Sequence, residues 1–168
     1  APLSRQTGSD SNAATEVNNT IFFGGSVPTD NSGIINYVIF EYTGARIDDE
    51  AEHNGLTLNA VGAGTVISNI AILNGDDDGI EFFGGTVSAS NLYLENNEDD
   101  SLDWTEGWNG TVENAYISHT ISGFSTVFEG DKDNKNPKFN NITAVSSVGG
   151  TALQFKKESG GTITGLSL

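Results

Sequence analysis

The chain has 168 residues, enough for one domain with its own core. Its 23 Asp and Glu against 7 Lys and Arg give a formal net charge of −16, which repels nucleic-acid phosphates and anionic headgroups and leaves cations as natural partners. The absence of Cys excludes disulfides, and no run reaches the ~18 apolar residues of a membrane span, so neither nucleic-acid binding nor membrane insertion is expected.

Residues 1–19 are polar and small, with Leu3 and Val17 the large aliphatics. They read as a leader, linker or cap ahead of a domain over 20–168. An opening Ala1-Pro2 in a chain without Met reads as a processed or excised product, and an extracellular or cell-surface location is expected. From Thr20 the pattern tightens. Thr20-Ile21-Phe22-Phe23-Gly24-Gly25 is a strand entering a glycine corner, which Phe82-Phe83-Gly84-Gly85 repeats. Ile34 to Phe40 is a run of strand formers.

A longer phrase then recurs. Its openings are Gly64-Thr65-Val66, Gly85-Thr86-Val87, Gly110-Thr111-Val112, Pro137-Lys138-Phe139 and Gly161-Thr162-Ile163, which start 21, 25, 27 and 24 residues apart. Short strands and glycine turns at such a period are the mark of a solenoid. A second strand in each unit aligns as Gly55-Leu56-Thr57-Leu58, Gly79-Ile80-Glu81-Phe82, Ser101-Leu102-Asp103-Trp104, Ser125-Thr126-Val127-Phe128 and Ala152-Leu153-Gln154-Phe155. Period-two alternation turns the flanking apolar residues inward and the middle one outward. Stacking would bury a ladder of Leu58, Phe82, Trp104, Phe128 and Phe155. The expected fold is an all-β, right-handed single-stranded parallel β-helix of about six coils. In-phase repetition of whole phrases disfavours a β-sandwich.

Acidic turns punctuate the units. Asp48, Asp49, Glu50 and Glu52 come first, then Asp76, Asp77 and Asp78, then Glu98, Asp99 and Asp100. Equivalent positions in neighbouring coils lie roughly 4.8 Å apart, where carboxylates repel unless protonated or bridged by a cation. Calcium takes six to eight oxygens, which such turns supply. Asp76, Asp77, Asp78, Glu98, Asp99 and Asp100 are therefore the candidate calcium ligands, and a solvated acidic edge is the bland alternative. Glu81 and Asp103, on adjacent coils and facing out, are the candidate catalytic pair of a glycan hydrolase.

A lyase needs a base instead, and Arg46, His53, Lys156 and Lys157 are available. Lys156 aligns two coils beyond Thr105, too far to complete a site, and His53 reads as incidental. Trp104 falls on the inward ladder. Trp108, at a corner, is the candidate ligand-binding aromatic, with a corner plug as its alternative. Glu129 to Asn136 reads as a mixed-charge surface loop without the ligand spacing of an EF-hand. The strand opened by Gly161-Thr162-Ile163 has no capping helix after it, so either a longer protein or self-association through open solenoid ends is expected.

Several phrases resemble a family of secreted, largely uncharacterised β-helix proteins of marine and environmental bacteria. They are Tyr37 to Gly44, Asn54 to Leu58, Asp77 to Val87 and Asp99 to Trp108. The resemblance covers most of residues 20–168 and implies export and a right-handed parallel β-helix, without a reaction. Two functions are consistent with these readings. One is a non-catalytic, calcium-stabilised extracellular module that stacks end to end. The other is a β-helix that binds or degrades a polysaccharide through its acidic outward face.

Overall fold

The computed structural model describes residues 12–47 and 51–168. The described residues hold strands and no helix. A hairpin, β1 (Asn12–Thr15) and β2 (Asn18–Gly24), is the one antiparallel pair among them. It straddles residue 19, where the sequence divides the polar segment from the repeats.

Every other strand pairs in parallel with its equivalent one turn away. One sheet has five levels: β4 (Leu56–Asn59), β6 (Ile80–Phe83), β8 (Asp100–Thr105), β10 (Thr126–Gly130) and β12 (Thr151–Phe155). The other has six: β3 (Ile34–Glu41), β5 (Val66–Leu73), β7 (Ala89–Glu95), β9 (Thr111–His119), β11 (Lys138–Ser146) and β13 (Thr162–Ser167). The chain alternates between the sheets and climbs one level per turn, which makes a parallel β-helix.

In the six-stranded sheet the inward positions do not alternate strictly. Ile67, Ile70 and Ile72 are buried on β5, and Val112, Ala115 and Ile117 on β9. The extra residue is Asn69, Asn91, Asn114 and Asn141 in the four inner strands, held at φ between 54 and 61°, with Tyr37 at φ 58° and Gly165 at φ 70° in the same place on β3 and β13. Asn tolerates this left-handed backbone better than other residues with a Cβ. Each of these side chains also donates to the next Asn along the stack: Asn69 to Asn36 at 2.8 Å, Asn91 to Asn69 at 3.1 Å, Asn114 to Asn91 at 3.0 Å and Asn141 to Asn114 at 2.7 Å. The left-handed residue bends each strand at one level and turns the rest of it back onto the core, and the Asn ladder fixes that bend in the four inner strands.

The aligned openings shift against one another. Ile67, Ala89, Val112, Phe139 and Ile163 occupy equivalent positions. Gly64-Thr65-Val66 is thus one residue out of register with Gly110-Thr111-Val112, and Gly85-Thr86-Val87 two. Val87 lies in the corner before β7, fully buried, and its carbonyl accepts the indole N–H of Trp108 at 2.9 Å.

The five-stranded sheet corrects one alignment. Leu56, Ile80, Leu102, Phe128 and Leu153 share one inward column. Leu58, Phe82, Trp104, Gly130 and Phe155 share the next, so Phe128 belongs two residues earlier than the sequence pattern placed it. A Cβ on Gly130 would sit 2.5 Å from the Trp104 ring. The indole occupies the space of a side chain on the next level, and glycine is what fits opposite it. Phe155, also expected in the buried ladder, is 47% exposed because β12 is the outermost strand of its sheet.

Candidate functional site

Once the register of β10 is known, the outward column of the five-stranded sheet reads Thr57, Glu81, Asp103, Glu129 and Gln154. Beside it on the same face stand Asp78 and Asp100, whose carboxylates each accept a backbone N–H from the next turn. Asp78 accepts from Asp100 at 2.9 Å, and Asp100 from Thr126 at 2.7 Å. These bonds fix the carboxylates across the sheet and hold them against the outward column. Four sets of three carboxyl groups result, each with oxygens within 4.8 Å of one another: Glu16, Glu52 and Asp77; Asp77, Asp78 and Asp99; Asp78, Glu81 and Asp103; Asp100, Asp103 and Glu129. Shared members join them into one continuous acidic ladder.

In the outward column Glu81 and Glu129 have counterparts. Asn54 donates to Glu81 at 2.6 Å, while Glu129 accepts from Gln154 at 2.8 Å and from Lys156 at 2.5 Å. The middle is less well served. Asp103 is 9% exposed, and its Oδ1 is buried without a hydrogen-bond partner. The Trp104 backbone N–H serves this carboxyl only in part, and taking a carboxylate oxygen out of water without a donor is strongly unfavourable. The groups respond accordingly. Burial first, then neighbouring carboxylates, pushes Asp100 up to about 7 and Asp77 to about 6. The same causes hold Asp78, Glu81 and Asp103 well above the ordinary range. A divalent cation would remove the repulsion that protonation otherwise relieves. The donors in these sets are all oxygens, which suits a hard cation such as calcium better than zinc.

Of the six predicted metal ligands, Asp77, Asp78, Asp99 and Asp100 lie in the ladder. Asp76 and Glu98 do not. They line a separate cleft with Tyr42, Asn96 and Ile121, because they stand one position outside the turn that aims Asp77 and Asp99 at the sheet. Glu81 and Asp103 are brought together and face out as expected, yet both are buried by the carboxylates around them. Trp108 is the corner plug of the two readings and not a ligand-binding aromatic: it is fully buried, stacked at 4.0 Å on Phe82 with 17° between the rings, and has no face for a ligand. Lys156 does stand two turns beyond Thr105, as aligned, but it is not remote from the acidic set: the shifted register of β10 puts Glu129 into the outward column, and the Lys156 ammonium pairs with it. Asp48, Asp49 and Glu50 lie outside the described residues.

Two acidic members went unrecognised in the sequence. Glu129 sits on β10, not in a loop, and the available signal was Gly130, the glycine that Trp104 requires opposite itself. Glu16 arrives from the turn of the β1–β2 hairpin, which no repeat announces. His119 also escaped notice. It is 1% exposed, stacked on Phe124 at 3.8 Å, and its Nε2 lies 2.8 Å from Ser101 Oγ. Burial lowers its pKa to about 4, so this pair is neutral packing inside the coil.

A family model described as "Pectate-lyase like beta helix domain" matches residues 3–164. No curated protein and no solved structure matches the chain.

Proposed function

Since the chain belongs to the pectate-lyase-like beta helix domains, we propose that it is a secreted, non-catalytic structural module whose acidic outer face holds calcium. The wording of its repeats puts it, in this reading, among the exported β-helix proteins of marine and environmental bacteria. The observation behind the proposal is the ladder itself, with Asp103 Oδ1 buried and unpartnered at its centre. Asp78, Glu81, Asp100 and Asp103 would hold the cation, with Asp77 and Asp99 as further donors. It would neutralise the stacked carboxylates and tie successive turns together. Binding to the folded state alone stabilises it, by about 2.7 kcal/mol at a hundredfold excess over Kd.

End-to-end stacking of copies is part of the same proposal. Leu153 and Phe155 on β12, with Val145 on β11, form an exposed apolar rim at one end of the sheets. Electron microscopy in millimolar calcium, beside a sample in chelator, tests it: rods or filaments are expected with calcium, and dispersed particles in both samples overturn the stacking.

Lys156 favours a second reading, in which the same face binds or cleaves a polysaccharide. Its ammonium lies against Glu129, beside Asp103, whose carboxyl is held well above the ordinary range by burial and neighbouring carboxylates, an arrangement able to supply a general acid. Glu81→Gln and Asp103→Asn separate the readings. The structural module predicts loss of calcium-dependent stability without any glycan turnover to lose. Turnover by the native protein, abolished in folded variants, would establish the enzyme.

A further inference from the structure

The β1–β2 hairpin lies outside the stacked sheets, yet it is docked on them. Ala13 is 4% exposed, and Phe23 packs edge-on against Phe83 with ring centroids 6.1 Å apart. At the turn of the hairpin the contact changes character. The Glu16 carboxyl lies against Glu52 and Asp77 and shares a hydrogen bond with Glu81. Acid therefore meets acid across this part of the contact between hairpin and solenoid. Arg46 does not resolve it, because its guanidinium pairs with Glu52 at 2.7 Å and is itself mostly exposed.

Two acceptors at this junction have no donor. Glu16 Oε2 is buried without a partner. Asn54, 7% exposed, gives its amide N–H to Glu81 and leaves its Oδ1 buried and unpartnered. Unsatisfied oxygens beside three converging carboxyl groups are what a hard cation coordinates. Without a cation, the same groups push the hairpin away.

We infer that a divalent cation held by Glu16, Glu52 and Asp77 latches the N-terminal hairpin onto the β-helix. This site shares none of its three ligands with the central set of Asp78, Glu81 and Asp103, although it adjoins that set through Asp77 and Glu81 and rests on the reading of the ladder as a cation site. Cation binding then has a local consequence. The hairpin covers Phe83 and the outer edge of the ladder when the latch is closed and leaves them when it opens.

The test is hydrogen exchange of the β1 and β2 amides in the full chain, at pH 8, with calcium chloride or with chelator. Calcium is expected to slow exchange in the hairpin about tenfold, a usual size for coupling between two events. Glu16→Gln removes the repelling charge, so its hairpin is expected to be protected in both conditions. Its melting temperature still rises with calcium, because the central carboxylates are intact. Equal hairpin protection in wild type with and without calcium, while calcium still raises the melting temperature, overturns the latch and leaves the ladder standing. If calcium changes neither hairpin nor melting temperature, the cation reading fails and the latch with it.

Discussion

At the scale of single residues, side chains with unusual surroundings decide most of what can be measured. Trp108 fills the corner between Phe82 and Phe139 and donates to Val87. Trp108→Ala should destabilise the fold by about 3–5 kcal/mol, the usual cost of emptying a buried aromatic site, read by thermal or denaturant unfolding. A sugar-binding Trp would instead leave stability intact. Asp103 behaves in the opposite sense. Asp103→Asn removes one charge from a crowded row, so the calcium-free protein should melt higher than wild type while the rise produced by calcium shrinks. Differential scanning calorimetry in chelator and in calcium reads both shifts. The chemistry of these positions was legible in part. Alternation in Leu102-Asp103-Trp104 sets inside from outside, but burial of an outward carboxylate depends on neighbours from other turns and from the hairpin. That information is not local.

At the scale of elements, the bend in the six-stranded sheet rests on stacked asparagines. Asn114 has φ 61° and bonds both Asn91 and Asn141. Asn114→Gly keeps the backbone conformation and loses the amide bonds, which should cost about 1 kcal/mol. Asn114→Ala must also place a Cβ in left-handed backbone, at roughly 1–2 kcal/mol more. The order of stability, wild type above Gly above Ala, checks that backbone and ladder act together; an Ala variant as stable as the Gly variant would remove the backbone term. The ladder was present in the sequence, as Asn at 69, 91, 114 and 141. It was hidden because a residue in left-handed backbone breaks the alternation used to find strands. Register failed for a related reason. Val66, Val87 and Val112 look alike in their Gly-Thr frames, yet they point respectively to solvent, into a corner and into the core. The same phrase need not occupy the same level of the coil when corner lengths differ.

At the scale of the molecule, charge is distributed unevenly. Every lysine falls between Lys132 and Lys157, and most of the acidic residues precede them. Three of these lysines, Lys132, Lys156 and Lys157, pair with Glu106, Glu129 and Asp131, so the last turns carry their own counter-ions. Among the described residues the earlier turns have one such pair, Arg46 with Glu52, and none on Glu16 or on Asp77 through Asp103. The β-helix itself was evident from the repeat period, because a solenoid writes its architecture once per turn. The site was less so, since it assembles across turns. A pH dependence follows from the assembled carboxyl groups. Glu16 at about 7, Asp77 at about 6, Asp100 at about 7 and Asp78, Glu81 and Asp103, all raised well above the ordinary range, bind protons more tightly folded than unfolded. As pH rises from the ordinary carboxylate range near ~4 towards ~7, the unfolded chain releases its protons first and calcium-free stability falls. His119, lowered to about 4, acts in the other direction with one group against six. Calcium requires ionised ligands, so its stabilising effect should grow over the same interval.

The most direct test of the central claim is therefore thermal unfolding at pH 5 and pH 8, each in millimolar calcium and in chelator. The account predicts that the protein in chelator melts lower at pH 8 than at pH 5, and that calcium restores the loss at pH 8 with little effect at pH 5. Melting at pH 8 that is indifferent to calcium, or higher in chelator than at pH 5, would contradict a cation-dependent acidic ladder.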